Sequence, residues 1–455
     1  MRHALSDLKH AVHSAYAART PASRALFERA VKVLPGGASG NLRYFDPYPL
    51  YMVSGEGCRT RDVDGLDYID CFSCNGPLLL GHRHPAVTAG EAALAATGSL
   101  VLNPELLIEC AELLQDAIPC AEKVRFLNSG TEAVMTAVRL ARGYTGKSKI
   151  VKFFGHYHGQ DDQFLLGVAP NRDTFGVGVP PIAIANTLTV PFNRIEPLEA
   201  LLAQDKDIAA VLLDPAMHAG GLWGADRDFL VAVRDLTRTH GVVLIFDEVI
   251  TGFRLGLGGA QAYHGVTPDL ATFGKALSAG EKLGAVVGCD AVMAVTDPLA
   301  APGTPRVFQS GTGNDGTMAL AAAIGALREY RRLEEAGEYA RLTDRVAGVE
   351  DVLRTAFARH GIGLHVNRLA SMMQLFITSE QPGFEAYAAL DPALVELFYL
   401  ALICEGVMLS LPTSNHVYFS FAHDEQAFAD IAAAIPRVVT RYPFAEAFAQ
   451  SHSQR

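Results

Sequence analysis

The sequence predicts an α/β protein whose large domain is built on a mainly parallel sheet, with a smaller α+β domain at the C-terminus. Three observations lead there. Between about residues 100 and 320, short apolar runs alternate with helix-length segments: KVRFL, KIVKFF, IAAVLLD, GVVLIFD, AVVG and RVFQS. Such alternation is the pattern of parallel βαβ units. After Asp315 a long alanine-rich helical stretch leads into a charged helix (REYRRLEEAGEYARLTDRV), and strand-like SMMQLFIT and HVYFSFAH then interleave with helices. Finally, 455 residues exceed what one hydrophobic core organises. The expected divisions are an N-terminal arm with a small antiparallel segment (1–72), a large α/β domain (73–325) and a C-terminal α+β domain (326–455).

In chain order, an amphipathic helix is expected over 22–33, followed by turn-rich pieces in which DVDG, Asp62 to Gly65, reads as a hairpin turn. The first twenty residues carry charges and histidines where a signal peptide needs an unbroken apolar stretch, and no later segment is apolar enough to span a bilayer. A cytoplasmic protein with no membrane partner is expected. A formal charge of -11 and a pI near 5.7 leave no basic footprint, which argues against nucleic-acid binding. Seven scattered cysteines do not form a disulfide framework. Cys71 and Cys74 in CFSC lack the second pair that a zinc site needs, so structural thiols are expected and no metal.

Four segments carry candidate chemistry. In VVLIFDEVITGF a buried-type strand ends in Asp247 and Glu248, where ligands of open α/β sheets sit. A carboxylate there can hold the proton on a cofactor's pyridine nitrogen; the bland alternative is that the pair caps the following turn. In PDLATFGKALSAG, Lys275 follows a short apolar strand and a glycine; a Schiff-base lysine needs a burial-lowered pKa, although a lone GK is a weak signal. In RFLNSGTEA, Ser129, Gly130 and Thr131 open an apolar-periodic helix, which suits either a phosphate site or an ordinary capping motif. In KFFGHYHGQ, Tyr157 offers a ring to cover a planar cofactor, and His156 and His158 lack acidic or cysteine partners at ligand spacing. His82 and His84 in GHRHP read as part of a turn that starts the next helix.

Taken in this order, RFLNSGTEA, KFFGHYHG, LIFDEVITGFR and PDLATFGK resemble the class III, fold-type I aminotransferases that use pyridoxal 5'-phosphate (PLP). Within them the sequence is similar to the branch of glutamate-1-semialdehyde aminomutases and β-amino-acid aminotransferases, from PGGASGNLRYF to YFSFAHDE. The resemblance implies a large domain with a seven-stranded-type sheet and assigns Lys275 as the Schiff-base lysine. It places Asp247 at the pyridinium nitrogen, Tyr157 and Val249 on the two cofactor faces, and Ser129, Gly130 and Thr131 at the phosphate. Thr312 in QSGTGND matches a threonine that reaches the neighbouring subunit's phosphate, which implies a homodimer with shared active sites. Arg43 in NLRYF matches a holder of a substrate carboxylate, and Asn75 stands where the aminomutase has a tryptophan.

Departures from the family pattern point to a changed substrate pocket. Ser278, Ala279, Gly280, Glu281 and Lys282 replace the usual GGG-M-P stretch; Asp315-Gly316-Thr317 replaces GNP; and Asp214-Pro215 replaces EP. The segment LLGVAPNRDTFGVGVPP is shorter than the aminomutase's gating lid and lacks its Gly-Ser-Gly. Arg368 and His416 are further pocket candidates, each with an ordinary structural alternative. The expected activity is double-displacement transfer of an amino group between a donor amine and a carboxylated carbonyl acceptor. An intramolecular aminomutase is the alternative, and a non-catalytic PLP-fold binding protein is disfavoured by the intact Lys275, Asp247 and Tyr157.

Overall fold

The computed structural model describes residues 3–452 apart from 96, 99–100, 170–171, 305, 381, 384–386 and 388–389. The chain forms two compact units, residues 1–84 with 340–455, and residues 85–339.

The first unit joins the two ends of the chain. Strands Met52–Glu56, Arg59–Asp62 and Asp67–Asp70 form an antiparallel meander, and Val407–Met408 adds to it in parallel beside Asp67–Asp70. The DVDG turn is present because Asp62 Oδ1 accepts the Asp64 and Leu66 amides, each at 2.9 Å. Asp64 from that turn also caps the Pro21–Ala30 helix, accepting the Ala22 and Ser23 amides at 2.6 and 2.9 Å. The expected helix over 22–33 spans Pro21–Ala30 and so ends three residues early, and an additional helix, His3–Arg19, precedes it. Its Leu8, Val12 and Tyr16, at spacing of four, are buried in a core shared with Phe398, Leu402, Ile431 and Val438. A second sheet of His365–Leu369, Met372–Phe376 and Val417–Tyr418 completes this unit.

The second unit holds a seven-stranded sheet in the order Lys123–Leu127, Gly284–Gly288, Leu270–Phe273, Val243–Asp247, Ile208–Leu213, Lys149–Phe153, Thr187–Val190. Gly284–Gly288 runs antiparallel to both neighbours and the other six strands are mutually parallel. Ile208–Leu213 is buried at every position, so it reads as a continuous apolar run rather than an alternating one. Each such fully buried Leu, Ile or Val side chain contributes about 1.5–3 kcal/mol.

Two expectations are corrected. RVFQS (306–310) is not a strand: Val307 N–H bonds Val295 O at 2.9 Å in a loop, and Phe308 is exposed. The seventh strand is instead TLTV, Thr187–Val190, whose alternating threonines belong to a sheet edge and lack the apolar run that marks a central strand. The charged helical stretch is also broken. Thr317–Glu335 stops before Gly337, at φ +72°, and Glu338–Arg359 starts anew.

Candidate active site

The parallel strands of the second unit deliver their carboxyl ends to one edge of the sheet, and the candidate residues gather there. Asp247 is the last residue of Val243–Asp247 and is buried. Its Oδ2 lies 2.7 Å from His158 Nδ1, and its Oδ1 accepts Val249 N–H at 3.1 Å and Thr272 Oγ1–H at 3.2 Å. Such an array suits an acceptor-only carboxylate. The adjoining Glu248 does a different job. Burial outweighs its hydrogen bonds to Gln261, Ala260 and Thr251 and raises its carboxyl to about 7. It accepts from Ala260 N–H at 2.5 Å and Gln261 Nε2–H at 2.9 Å, pinning the turn that follows the strand. Both carboxylates thus bond the turn after the strand, and Asp247 also meets His158 and Thr272.

The helix Gly130–Thr145 begins directly after Lys123–Leu127. Ser129 Oγ accepts Glu132 N–H at 3.2 Å, and Glu132 reaches back to Asn128 N–H at 2.8 Å, a reciprocal cap that fixes the helix start. The first amides of a helix have no intrahelical acceptor, and with the helix dipole they favour an anion. A Cβ on Gly130 would stand 2.9 Å from both γ-methyls of Val249. Gly159, at φ +96°, would bring a Cβ within 2.5 Å of Thr131 Oγ1. The helix start, Val249 and the loop carrying Tyr157 therefore meet at glycines because no side chain fits between them.

Lys275 follows Leu270–Phe273 with φ +45°, a left-handed conformation that costs a non-glycine residue on the order of 1 kcal/mol or more. Gly274 beside it approaches both Val249 and Gly130. Burial, reinforced by the Arg254 guanidinium and opposed by Asp247 and Asp214, brings the Lys275 ammonium down to about 8. A neutral, nucleophilic amine is therefore accessible there near neutral pH.

Tyr157 is 46% exposed, which leaves its ring free to cover a planar group. The flanking His156 and His158 are buried. Lys152, fully buried, anchors this loop by donating to the carbonyls of His156, Phe164 and Leu166 at 2.9, 2.8 and 2.7 Å. Burial pulls its ammonium down to about 7, but three carbonyls match the three N–H bonds of the charged form. Sequence reasoning considered the two histidines only as metal ligands and did not single out Lys152. The usable signal was a lysine inside an otherwise apolar strand, Lys149–Phe153, with two histidines just beyond it.

The remaining candidates each have local partners of their own. Thr312 is exposed on a loop that docks through Asn314 Oδ1, which accepts Asn128 Nδ2–H at 2.9 Å. Arg43 and Asn75 belong to the first unit. Arg43 is exposed and donates to Ser39 Oγ at 3.3 Å, whereas Asn75 sits at φ +70° in a left-handed turn and its Oδ1 accepts Tyr418 O–H at 3.4 Å. Arg368 pairs with Glu350 at 2.8 Å, the structural alternative, and His416 Nδ1 lies 3.3 Å from Gln374 Nε2. Segment 165–181 folds back on itself, with Phe175 N–H donating to Leu165 O at 2.8 Å; its Pro170 and Asn171 lie outside the described residues. Ser278 Oγ–H donates to Glu281 O at 2.6 Å and leaves Glu281 and Lys282 exposed.

A lysine of lowered basicity, a buried carboxylate and a glycine-opened helix start packed about one valine suit a planar aldehyde cofactor with a pyridine nitrogen and a phosphate. The comparisons with known proteins agree. The chain is 39% identical over 416 residues to a glutamate-1-semialdehyde 2,1-aminomutase of Chlorobaculum tepidum, covering 89% of this chain and 94% of that protein. An omega-transaminase from Sphaerobacter thermophilus superposes with a TM-score of 0.85 at 33% identity, covering 92% of this chain and 97% of that one. A transaminase solved with PLP bound gives 0.85 at 34% identity, covering 94% and 99%. The family model for aminotransferase class-III matches residues 43–359, and the chain belongs to that family.

Proposed function

We propose that this protein is a PLP-dependent aminotransferase that moves an amino group between an amino-acid or amine donor and a carboxylated carbonyl acceptor. The observation that carries the reading is the meeting of Lys275, Asp247 and the Gly130 helix start around Val249. PLP, when bound, supplies an electron sink that stabilises negative charge on the substrate carbon. Lys275 Nζ would hold the cofactor and would move a proton at that carbon, a role its pKa of about 8 permits. The Asp247 carboxylate holds the pyridine nitrogen's proton. Tyr157 and Val249 fix the ring plane, and Ser129, Gly130 and Thr131 take the phosphate.

Arg43 is the proposed anchor for a substrate carboxylate, since a planar guanidinium offers two parallel donors. Asn75, held by Tyr418, is the proposed substrate-lining amide. Thr312 is assigned to the neighbouring subunit's phosphate in a cytoplasmic homodimer. Resemblance to an omega-transaminase supports a donor whose amino group is not on the α-carbon.

The second reading, an aminomutase, is favoured by the relatives of that name at 38–39% identity. One experiment separates the two. The holoenzyme is titrated with α-, β- and ω-amino compounds while its visible spectrum is followed, and an unrelated keto acid is then added. Amine exchange between the two compounds supports the transferase; isomerisation of a single compound without exchange refutes it.

A further inference from the structure

His156 and His158 are buried neighbours whose ring centroids are 5.7 Å apart, and in both the Nε2 atom has no hydrogen-bond partner among the described residues. Their opposite nitrogens are committed, and those commitments settle where each proton is. Asp214 N–H donates to His156 Nδ1 at 3.1 Å, so that nitrogen is bare and the proton of His156 is on Nε2. His158 Nδ1 faces the Asp247 carboxylate at 2.7 Å, so there the proton is on Nδ1.

Burial disfavours the doubly protonated form of both rings. Burial, the adjacent His158 and the Lys152 ammonium hold His156 well below the usual imidazole range. His158 is lowered as well, by burial and Lys152 against the opposing pull of Asp247. His156 thus presents an Nε2–H donor and His158 a bare Nε2 acceptor. Phe192 meets the His156 ring edge to face at 4.7 Å and Phe153 lies at 5.7 Å. A donor and an acceptor on buried rings whose centroids are 5.7 Å apart are each costly to leave unpaired, by about 1–3 kcal/mol.

We propose that His156 Nε2–H and His158 Nε2 are joined through one internal water, making His156 the positioning residue that dictates which nitrogen of His158 carries the proton given to Asp247. The order of donation is Asp214 N–H to His156, His156 to water, water to His158, and His158 to Asp247. Without the donor at His156, His158 is free to carry its proton on Nε2. Its bare Nδ1 then faces the carboxylate, and Asp247 loses the contact that orients it toward the cofactor. This rests on Asp247 being the cofactor's partner, not on the choice between transferase and mutase.

The test is two-bond 1H–15N correlation spectroscopy of the 15N-histidine-labelled holoenzyme, with His158 assigned by its loss in a His158→Phe variant. Wild type is expected to show His158 protonated at Nδ1 alone. His156→Asn keeps an oxygen near the Nδ1 position for Asp214 N–H but has no donor at the Nε2 position, and there the His158 pattern should become mixed or reversed. His156→Gln, whose amide N–H reaches the Nε2 position, should restore it. PLP should dissociate on the order of tenfold faster from the Asn variant than from the Gln variant, a typical effect for outer-shell partners of a histidine. If Asn preserves the His158 pattern and Gln disturbs it, His156 acts only through the Asp214 loop and the proposal falls. Should neither variant fold, a wild-type His158 protonated at Nε2 overturns it by itself.

Discussion

His158 Nδ1 and Asp247 Oδ2 stand 2.7 Å apart, both buried, one from the loop after Lys149–Phe153 and the other from the end of Val243–Asp247. That contact fixes the orientation of the carboxylate. Replacing Asp247 with Asn keeps the volume but removes the charge. The half-reaction with the best donor should slow by roughly a hundredfold or more, as when a preorganised electrostatic partner is removed. Single-turnover absorbance changes measure it, and a rate within a factor of about three of wild type would remove Asp247 from its assigned place.

Lys275 makes a prediction about pH. An ammonium has no lone pair, and this one gives up its proton at about 8. The rate of PLP capture by the apoenzyme should therefore rise by about tenfold per pH unit below that point and level off above it. A rate that climbs steadily into the ordinary lysine range would show that the amine is not depressed. Lys275→Ala should abolish the lysine-bound absorption and lower turnover by at least roughly a thousandfold.

Gly130 and Val249 can be tested as a pair, because the clash is between them. Gly130→Ala places a methyl 2.9 Å from both branches of Val249 and should cost about 1–3 kcal/mol with weakened PLP retention. Val249→Ala in the same chain should restore much of the loss. Thermal denaturation and cofactor dialysis together read the coupling, and strict additivity of the two substitutions would refute the contact.

Removing Lys152 should act through the backbone. Lys152→Met keeps an unbranched side chain, one heavy atom shorter, but removes the donor to three carbonyls, of His156, Phe164 and Leu166. The expected destabilisation is about 3 kcal/mol or more, seen as a lower urea midpoint of the apoenzyme. An unchanged midpoint would mean that the loop finds other donors.

Arg43→Ala should raise KM for carboxylated donors by on the order of tenfold to a hundredfold and leave amines without a carboxylate unaffected, the loss expected of one charge-assisted contact. Steady-state kinetics on a matched pair of substrates decides it; equal effects on both would assign Arg43 to structure.

Much was determined by sequence alone, because it depends on short-range pattern. Apolar runs ending in polar residues located the strand ends at Asp247 and before Lys275, and S-G-T-E located a capped helix start at Ser129. The His3–Arg19 helix escaped notice since histidines and alanines blur its apolar stripe, and only packing of Leu8, Val12 and Tyr16 into the core reveals it. RVFQS and TLTV were exchanged because strand pairing depends on a neighbour distant in sequence: Thr187–Val190 pairs with Ile150–Phe153, whereas RVFQS finds a loop. Only tertiary structure supplied the partners of Asp247 and Glu248, adjacent carboxylates of which one meets His158 and Thr272 and the other Ala260 and Gln261. The same holds for Lys152 and His156, whose chemistry comes from burial and from acceptors and donors as far away as residue 214. Burial and long-range hydrogen bonding are properties of the folded chain, and no local run of residues encodes them.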